Sequence, residues 1–194
     1  MTGVQTCALP ILCSMLAPHL PHCQAVSRFP VTIGGGYMFY ACTSLTTLPS
    51  SITFASLTNG YAMFYACASL TTLPSSITFA NVTNGDAMFR NCTSLTTLPS
   101  SITFASLTSG YYMFYACASL TTLPNSITFA SLTNGDVMFY ACASLTTLPS
   151  SITFASLTSG SQIFQSTFHN HLLKHLKRLY FFHSSFPCIY KFAF

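Results

Sequence analysis

A single 25-residue unit, repeated five times almost without change, dominates the chain. The copies begin at Met38, Met63, Met88, Met113 and Met138 and together occupy residues 38–162. A period of this length calls for an array in which each unit packs mainly against its neighbours. The second copy runs Met63-Phe64-Tyr65-Ala66-Cys67-Ala68-Ser69-Leu70-Thr71-Thr72-Leu73-Pro74-Ser75-Ser76-Ile77-Thr78-Phe79-Ala80-Asn81-Val82-Thr83-Asn84-Gly85-Asp86-Ala87. Eight of its positions are apolar in every copy: the Met, the Phe, the Cys, two Leu, the Ile, the second Phe and a Leu or Val. Burying those side chains cannot by itself offset the conformational entropy of ordering the whole unit, so one unit cannot fold alone. Stacking covers both flanks of each unit, and stability should therefore depend on copy number.

Local signals suggest elements within the unit. Leu70-Thr71-Thr72-Leu73 is rich in β-formers and is stopped by Pro74, which lacks an N–H. Ile77-Thr78-Phe79 alternates apolar and polar, as a half-buried strand would. The Asn-Gly or Ser-Gly pairs ending at Gly60, Gly85, Gly110, Gly135 and Gly160 are expected to supply the left-handed conformation of a tight corner. From Tyr61 to Cys67 there is room for one or two helical turns, with Met63, Phe64 and Cys67 facing inward.

The pattern Met-Phe-x-x-Cys-x-Ser-Leu-Thr-Thr-Leu-Pro, with Asn81-Val82-Thr83-Asn84 preceding Met88, resembles the BspA-like leucine-rich repeats and the related repeat of bacterial surface lipoproteins. The resemblance covers all five units. It implies a leucine-rich-repeat-like solenoid of 25-residue rungs, with short parallel β-strands and short helical turns. It also implies a cell-surface or secreted protein linked to adhesion. The chain departs from the family pattern in carrying Asn-Gly or Ser-Gly where many units carry Asn-Met, and it shows no recognisable export signal.

The flanks read differently. Met1 to Ile11 looks like a translated sequencing adapter, and Cys13 to Arg28 matches the repeat's own DNA read in a shifted frame, so residues 1–37 are expected to be adapter-derived and frameshifted rather than native. No alternative frame recovers a repeat from 163–194, which is expected to be a degenerate cap, a frameshifted segment or a disordered tail.

Composition narrows the chemistry. The positive charge behind the chain's formal +4 resides in the ends; between 38 and 162 only Asp86, Arg90 and Asp136 are charged. A nucleic-acid surface needs clustered Lys and Arg on a folded face, and none is available. General acid–base and nucleophilic catalysis need a base beside a partner, and the repeats hold no His or Lys, so no enzyme and no cofactor is expected. Cys42, Cys67, Cys92, Cys117 and Cys142 recur at one position. A disulfide ladder and a zinc site are the lesser readings of them; a buried apolar ladder is the expectation. Asp86 and Asp136 offer one carboxylate per corner, which suits turn residues better than calcium ligands. The sequons at Asn81 and Asn91 are read as chance in a Thr-rich repeat. In the tail, a metal cluster of His169, His171 and His175 and an amphipathic membrane helix from Leu172 to Phe182 are the lesser readings; no metal site and no membrane span are expected.

What remains is surface. The paired threonines Thr46-Thr47, Thr71-Thr72, Thr96-Thr97, Thr121-Thr122 and Thr146-Thr147 are expected to line a sheet face suited to binding. Copies differ along a tyrosine stripe, Tyr40, Tyr65, Tyr115 and Tyr140, interrupted by Arg90; it reads either as a contact surface or as packing over the turn. The expected function is adhesion or protein–protein contact with a protein or surface-glycan ligand. The alternatives are a threonine array matched to a lattice such as ice, and a fragment of a longer gene with no function of its own.

Overall fold

The computed structural model describes residues 34–167 of the 194-residue chain, and the expectations placed on 1–33 and 168–194 lie outside them. The units lie one above the next, with equivalent side chains in columns. Phe39, Phe64, Phe89, Phe114, Phe139 and Phe164 form one such column, their rings nearly parallel and 5.0–5.4 Å apart. Phe54, Phe79, Phe104, Phe129 and Phe154 form a second, 5.6–6.0 Å apart, and meet the first edge-on. Methionine, cysteine, leucine and isoleucine columns complete a continuous core. The apolar positions common to all copies supply this core because stacking like on like lets each side chain cover its counterpart.

The expected strands and helical turns are not found. No helix and no β-strand occurs among the described residues; six isolated parallel bridges are the nearest approach to a sheet. Backbone hydrogen bonding explains why. Each unit is a succession of tight turns. In the second copy, Met63, Tyr65, Cys67, Leu70, Ile77 and Val82 each donate to the carbonyl three residues earlier. Between Gly60 and Cys67 the donors alternate: the odd-numbered residues from Met63 close turns, whereas Gly60, Ala62, Phe64 and Ala66 donate to Asn84, Asp86, Met88 and Arg90 of the next unit. A helix would need every N–H to point back along its own segment. Here half of them serve the stack.

The threonine segment fails as a strand for the complementary reason. Thr71 N–H reaches Thr46 of the preceding unit at 3.0 Å, and Thr96 and Thr121 repeat the bond, but Pro74 contributes no donor and Ile77 N–H turns back to Pro74. One bond per crossing does not make a ladder.

Corner geometry also departs from expectation. None of the described glycines has a positive φ; the left-handed residues are instead Tyr37, Ala62, Ala87, Tyr112, Val137 and Gln162, two places after each corner glycine, and Ala41, Ala66, Asn91, Ala116, Ala141 and Ser166. At Gly85 the missing Cβ leaves room for side-chain tips of the following units. A Cβ on Gly85 would lie 2.9 Å from Leu107 Cδ1 and 3.4 Å from Met113 of the next unit. The left-handed alanines carry a measurable consequence: Ala116→Gly removes a Cβ penalty of about 1–2 kcal/mol, partly offset by the freer unfolded chain, so it should stabilise the protein by about 0.5–1 kcal/mol. A helix at this position would give the opposite sign, a loss of about 1 kcal/mol, in chemical denaturation.

The stack continues past the fifth copy. Ile163 and Phe164 are buried over Met138 and Phe139, and Thr167 takes the place of the cysteine, its hydroxyl donating to the Phe139 carbonyl.

Candidate functional site

Three lines of side chains run the length of the stack. The first is threonine. Thr71, Thr96 and Thr121 each donate their hydroxyl 3.2 Å to the carbonyl of the threonine one unit earlier, beginning at Thr46. Their neighbours Thr47, Thr72, Thr97 and Thr122 are exposed, as are Thr146 and Thr147. Sequence reasoning overlooked a second such line: Thr83, Thr108, Thr133 and Thr158 donate 2.9–3.2 Å to the carbonyl one unit back, starting from Thr58. The same 25-residue spacing of Thr before each corner was available to find it.

The second line lies at the corners, where the copies differ. The Asn59, Asn84 and Asn134 side chains accept the N–H two residues ahead, at 2.9–3.1 Å. Ser109 and Ser159 replace this asparagine, and a carboxylate from the unit before takes over the task. Asp86 Oδ1 accepts the Ser109 hydroxyl at 2.6 Å and the Tyr111 N–H at 2.9 Å. Asp136 accepts the Ser159 hydroxyl at 2.8 Å and the Ser161 N–H at 2.6 Å. Each described Ser-Gly corner thus follows an Asn-Gly-Asp corner. The aspartates are half-buried structural acceptors, and no group of three or more His, Cys, Asp or Glu that could hold a metal occurs among the described residues. The pairing of Ser with an upstream Asp is visible in the sequence, but its meaning required knowing which unit the carboxylate faces.

The third line is aromatic. Tyr40 and Tyr65 stack at 4.8 Å, and Tyr115 and Tyr140 at 5.1 Å. Arg90 fills the gap, its guanidinium carbon 5.6 Å from the Tyr65 ring centre, 4.9 Å from Tyr115 and 4.5 Å from Tyr112. The arginine therefore continues the stripe through cation–π contact. Its Nε is buried and has no hydrogen-bond partner among the described residues. Tyr37, Tyr61, Tyr111 and Tyr112 extend the surface through ring contacts of 4.1–5.5 Å. Tyr37, Tyr61 and Tyr111 are 38–49% exposed, whereas the stripe itself is half-buried. The hydroxyl of Tyr111 is held above its ordinary 10 chiefly by its hydrogen bond with Tyr112. The threonine and tyrosine lines belong to separate segments of the unit.

The cysteines line the interior. Cys67, Cys92, Cys117 and Cys142 are buried, with Sγ 3.0–3.1 Å from the carbonyls of Phe39, Phe64, Phe89 and Phe114. All five repeat cysteines are buried thiols. Burial raises the thiols of Cys92 and Cys117 well above the ordinary range and pushes Cys142 from 9.0 up to about 12. Native thiols should resist alkylation at pH 8. A raised folded pKa means that this contribution to stability is complete below pH 9 and is lost as pH climbs towards 12. Replacing Cys142 with Ala should flatten that part of the stability–pH curve, measured by denaturant midpoint.

No helix among the described residues is long and apolar enough to cross a membrane. The tail histidines and the Leu172–Phe182 segment lie outside the described residues.

Comparison with known proteins agrees with the repeat pattern. The model of the BspA type leucine-rich repeat region matches six copies, over residues 28–146 and 60–194. No curated protein matches. Among solved structures, a T. pallidum leucine-rich-repeat protein is 22% identical, with 81% of each chain covered and a TM-score of 0.46. A leucine-rich-repeat protein from Eubacterium ventriosum ATCC 27560 is 20% identical with a TM-score of 0.37; the match covers 63% of this chain and 42% of that one.

Proposed function

Because this chain belongs to the BspA type leucine-rich-repeat family, a repeat family without catalytic machinery, we propose that it is part of a surface-displayed protein working by adhesion or protein–protein contact. The observation that carries this reading is the tyrosine–arginine surface. Core positions stay apolar in every copy, with only Val82 in place of a leucine, whereas Arg90 and the two residues before each methionine change in character, and the exposed tyrosines gather there. Tyr and Arg present large, amphipathic contact area and dominate many interfaces. Members of the family are often surface-associated, and display at the cell surface or secretion is part of the proposal.

The test is binding of the full chain to purified extracellular-matrix and cell-surface proteins by surface plasmon resonance. Arg90→Ala and Tyr115→Ala should each weaken a genuine partner about 10-fold, or about 1.4 kcal/mol, with unchanged circular dichroism. Equal binding by wild type and variants would move the contact elsewhere. The exposed double line of threonines favours one other reading, recognition of a lattice such as ice. Thermal hysteresis by the intact chain, lost in Thr97→Val, would replace protein contact with that function.

A further inference from the structure

Resting on the protein-contact reading, we infer that Arg90 and the three rings around it receive one carboxylate of a partner protein, an Asp or Glu side chain set among uncharged residues. The guanidinium carbon lies 4.5–5.6 Å from the ring centres of Tyr65, Tyr112 and Tyr115. Ring faces attract the charge but accept only weak hydrogen bonds from its N–H groups. Among the described residues no acceptor meets the Arg90 side chain. Nε is the one nitrogen of the fork that is buried without a partner, and the residue as a whole is half-buried, so the terminal nitrogens reach the surface. The acids of the stack do not serve as counterion, because Asp86 and Asp136 hold the Ser109 and Ser159 corners. A guanidinium that has already lost water at Nε has less hydration left to lose when a partner covers it, which favours pairing here over pairing at a fully solvated arginine.

Tyr112 is a second, independent sign of a built site. It stands in the left-handed region at φ 57°, where a bulky side chain is strained, while Ala62 and Ala87 make the same turn at the equivalent positions. The fold therefore does not require a ring there, and a ring held at conformational cost against a cation points to function. Charge selects the class of ligand. The described residues hold one arginine against two carboxylates, so a polyanion such as a sulfated glycan would find a single cation and two repelling charges. A lone carboxylate instead matches the fork, taking two parallel N–H bonds from one guanidinium. Tyr111, exposed and in ring contact with Tyr112, offers apolar area to the residues beside the acid.

The experiment titrates the full chain with the capped pentapeptide Leu-Gly-Glu-Gly-Leu, with its Gln counterpart and with a heparin hexasaccharide, by heteronuclear NMR. The Arg90 Nε–H resonance, assigned by its loss in Arg90→Lys, reports the site, and the Tyr111 amide gives the affinity in every variant. The Glu peptide should shift the Arg90 resonance and bind about fivefold tighter than the Gln peptide. That preference should vanish in Arg90→Gln, and Arg90→Lys, which keeps the charge without the fork, should weaken the Glu peptide about threefold. Tyr112→Ala should weaken it about threefold with unchanged circular dichroism, an effect that a purely structural ring would not have. No binding of either peptide, equal affinity for both, a Glu preference that survives Arg90→Gln, or tighter binding of heparin overturns the inference. A matrix protein whose binding falls with Tyr115→Ala but ignores Arg90→Gln and added salt would overturn this site alone and leave the contact function standing.

Discussion

Phe89→Ala is expected to destabilise the protein by about 3–5 kcal/mol, the usual range for emptying a fully buried aromatic site. Phe89 is completely buried, stacks at 5.3 Å on both Phe64 and Phe114, and meets Phe79 edge-on. Its loss opens a gap in the middle of a column whose members cover one another. Because each unit contacts only its neighbours, the damage should also weaken the coupling between the two halves of the stack. Equilibrium denaturation followed by circular dichroism and by tyrosine fluorescence should then give transitions that no longer coincide. A variant that unfolds in one transition with a loss under 1 kcal/mol would show that the phenylalanine columns do not carry the fold.

The second large effect concerns the corners. Asp86→Ala removes the acceptor for both the Ser109 hydroxyl and the Tyr111 N–H, leaving a half-buried corner without its charge-assisted bonds. A cost of about 2–3 kcal/mol is expected. Ser109→Asn should rescue it, because an asparagine there can accept the Tyr111 N–H from its own corner, as Asn59 does for Tyr61 at 2.9 Å. The measurement is a double-mutant cycle in urea: the double variant should recover at least half of the loss. If Ser109→Asn restores nothing, the forward carboxylate is not substituting for the missing asparagine. The same cycle on Asp136 and Ser159 provides an independent repeat, since the geometry recurs there.

These two results concern features of unequal visibility. The Phe89 column follows from the period alone: a side chain repeated every 25 residues in an apolar position must meet its copies once the units stack. The cysteine line followed in the same way, and burial with donation to backbone carbonyls accounts for its chemistry. The Tyr65–Arg90–Tyr115 contact was half legible. An arginine in a tyrosine column reads as an interruption in one dimension, and only the lateral approach of Tyr112, at 4.5 Å, turns it into a bridge.

What the sequence determined by itself was the repeat, its phase, the set of buried columns and membership of the BspA type family, because all of these depend on residue identity at a fixed spacing. Local conformation was decided by the stack. Propensity favoured strands at Leu70–Leu73 and a helical turn at Tyr61–Cys67, yet neither forms among the described residues. Propensity weighs a segment against its own neighbours in the chain. Here the decisive hydrogen bonds run between units: every second N–H from Gly60 to Ala66 is drawn to the unit that follows, which places Ala62 and Ala66 in the left-handed region.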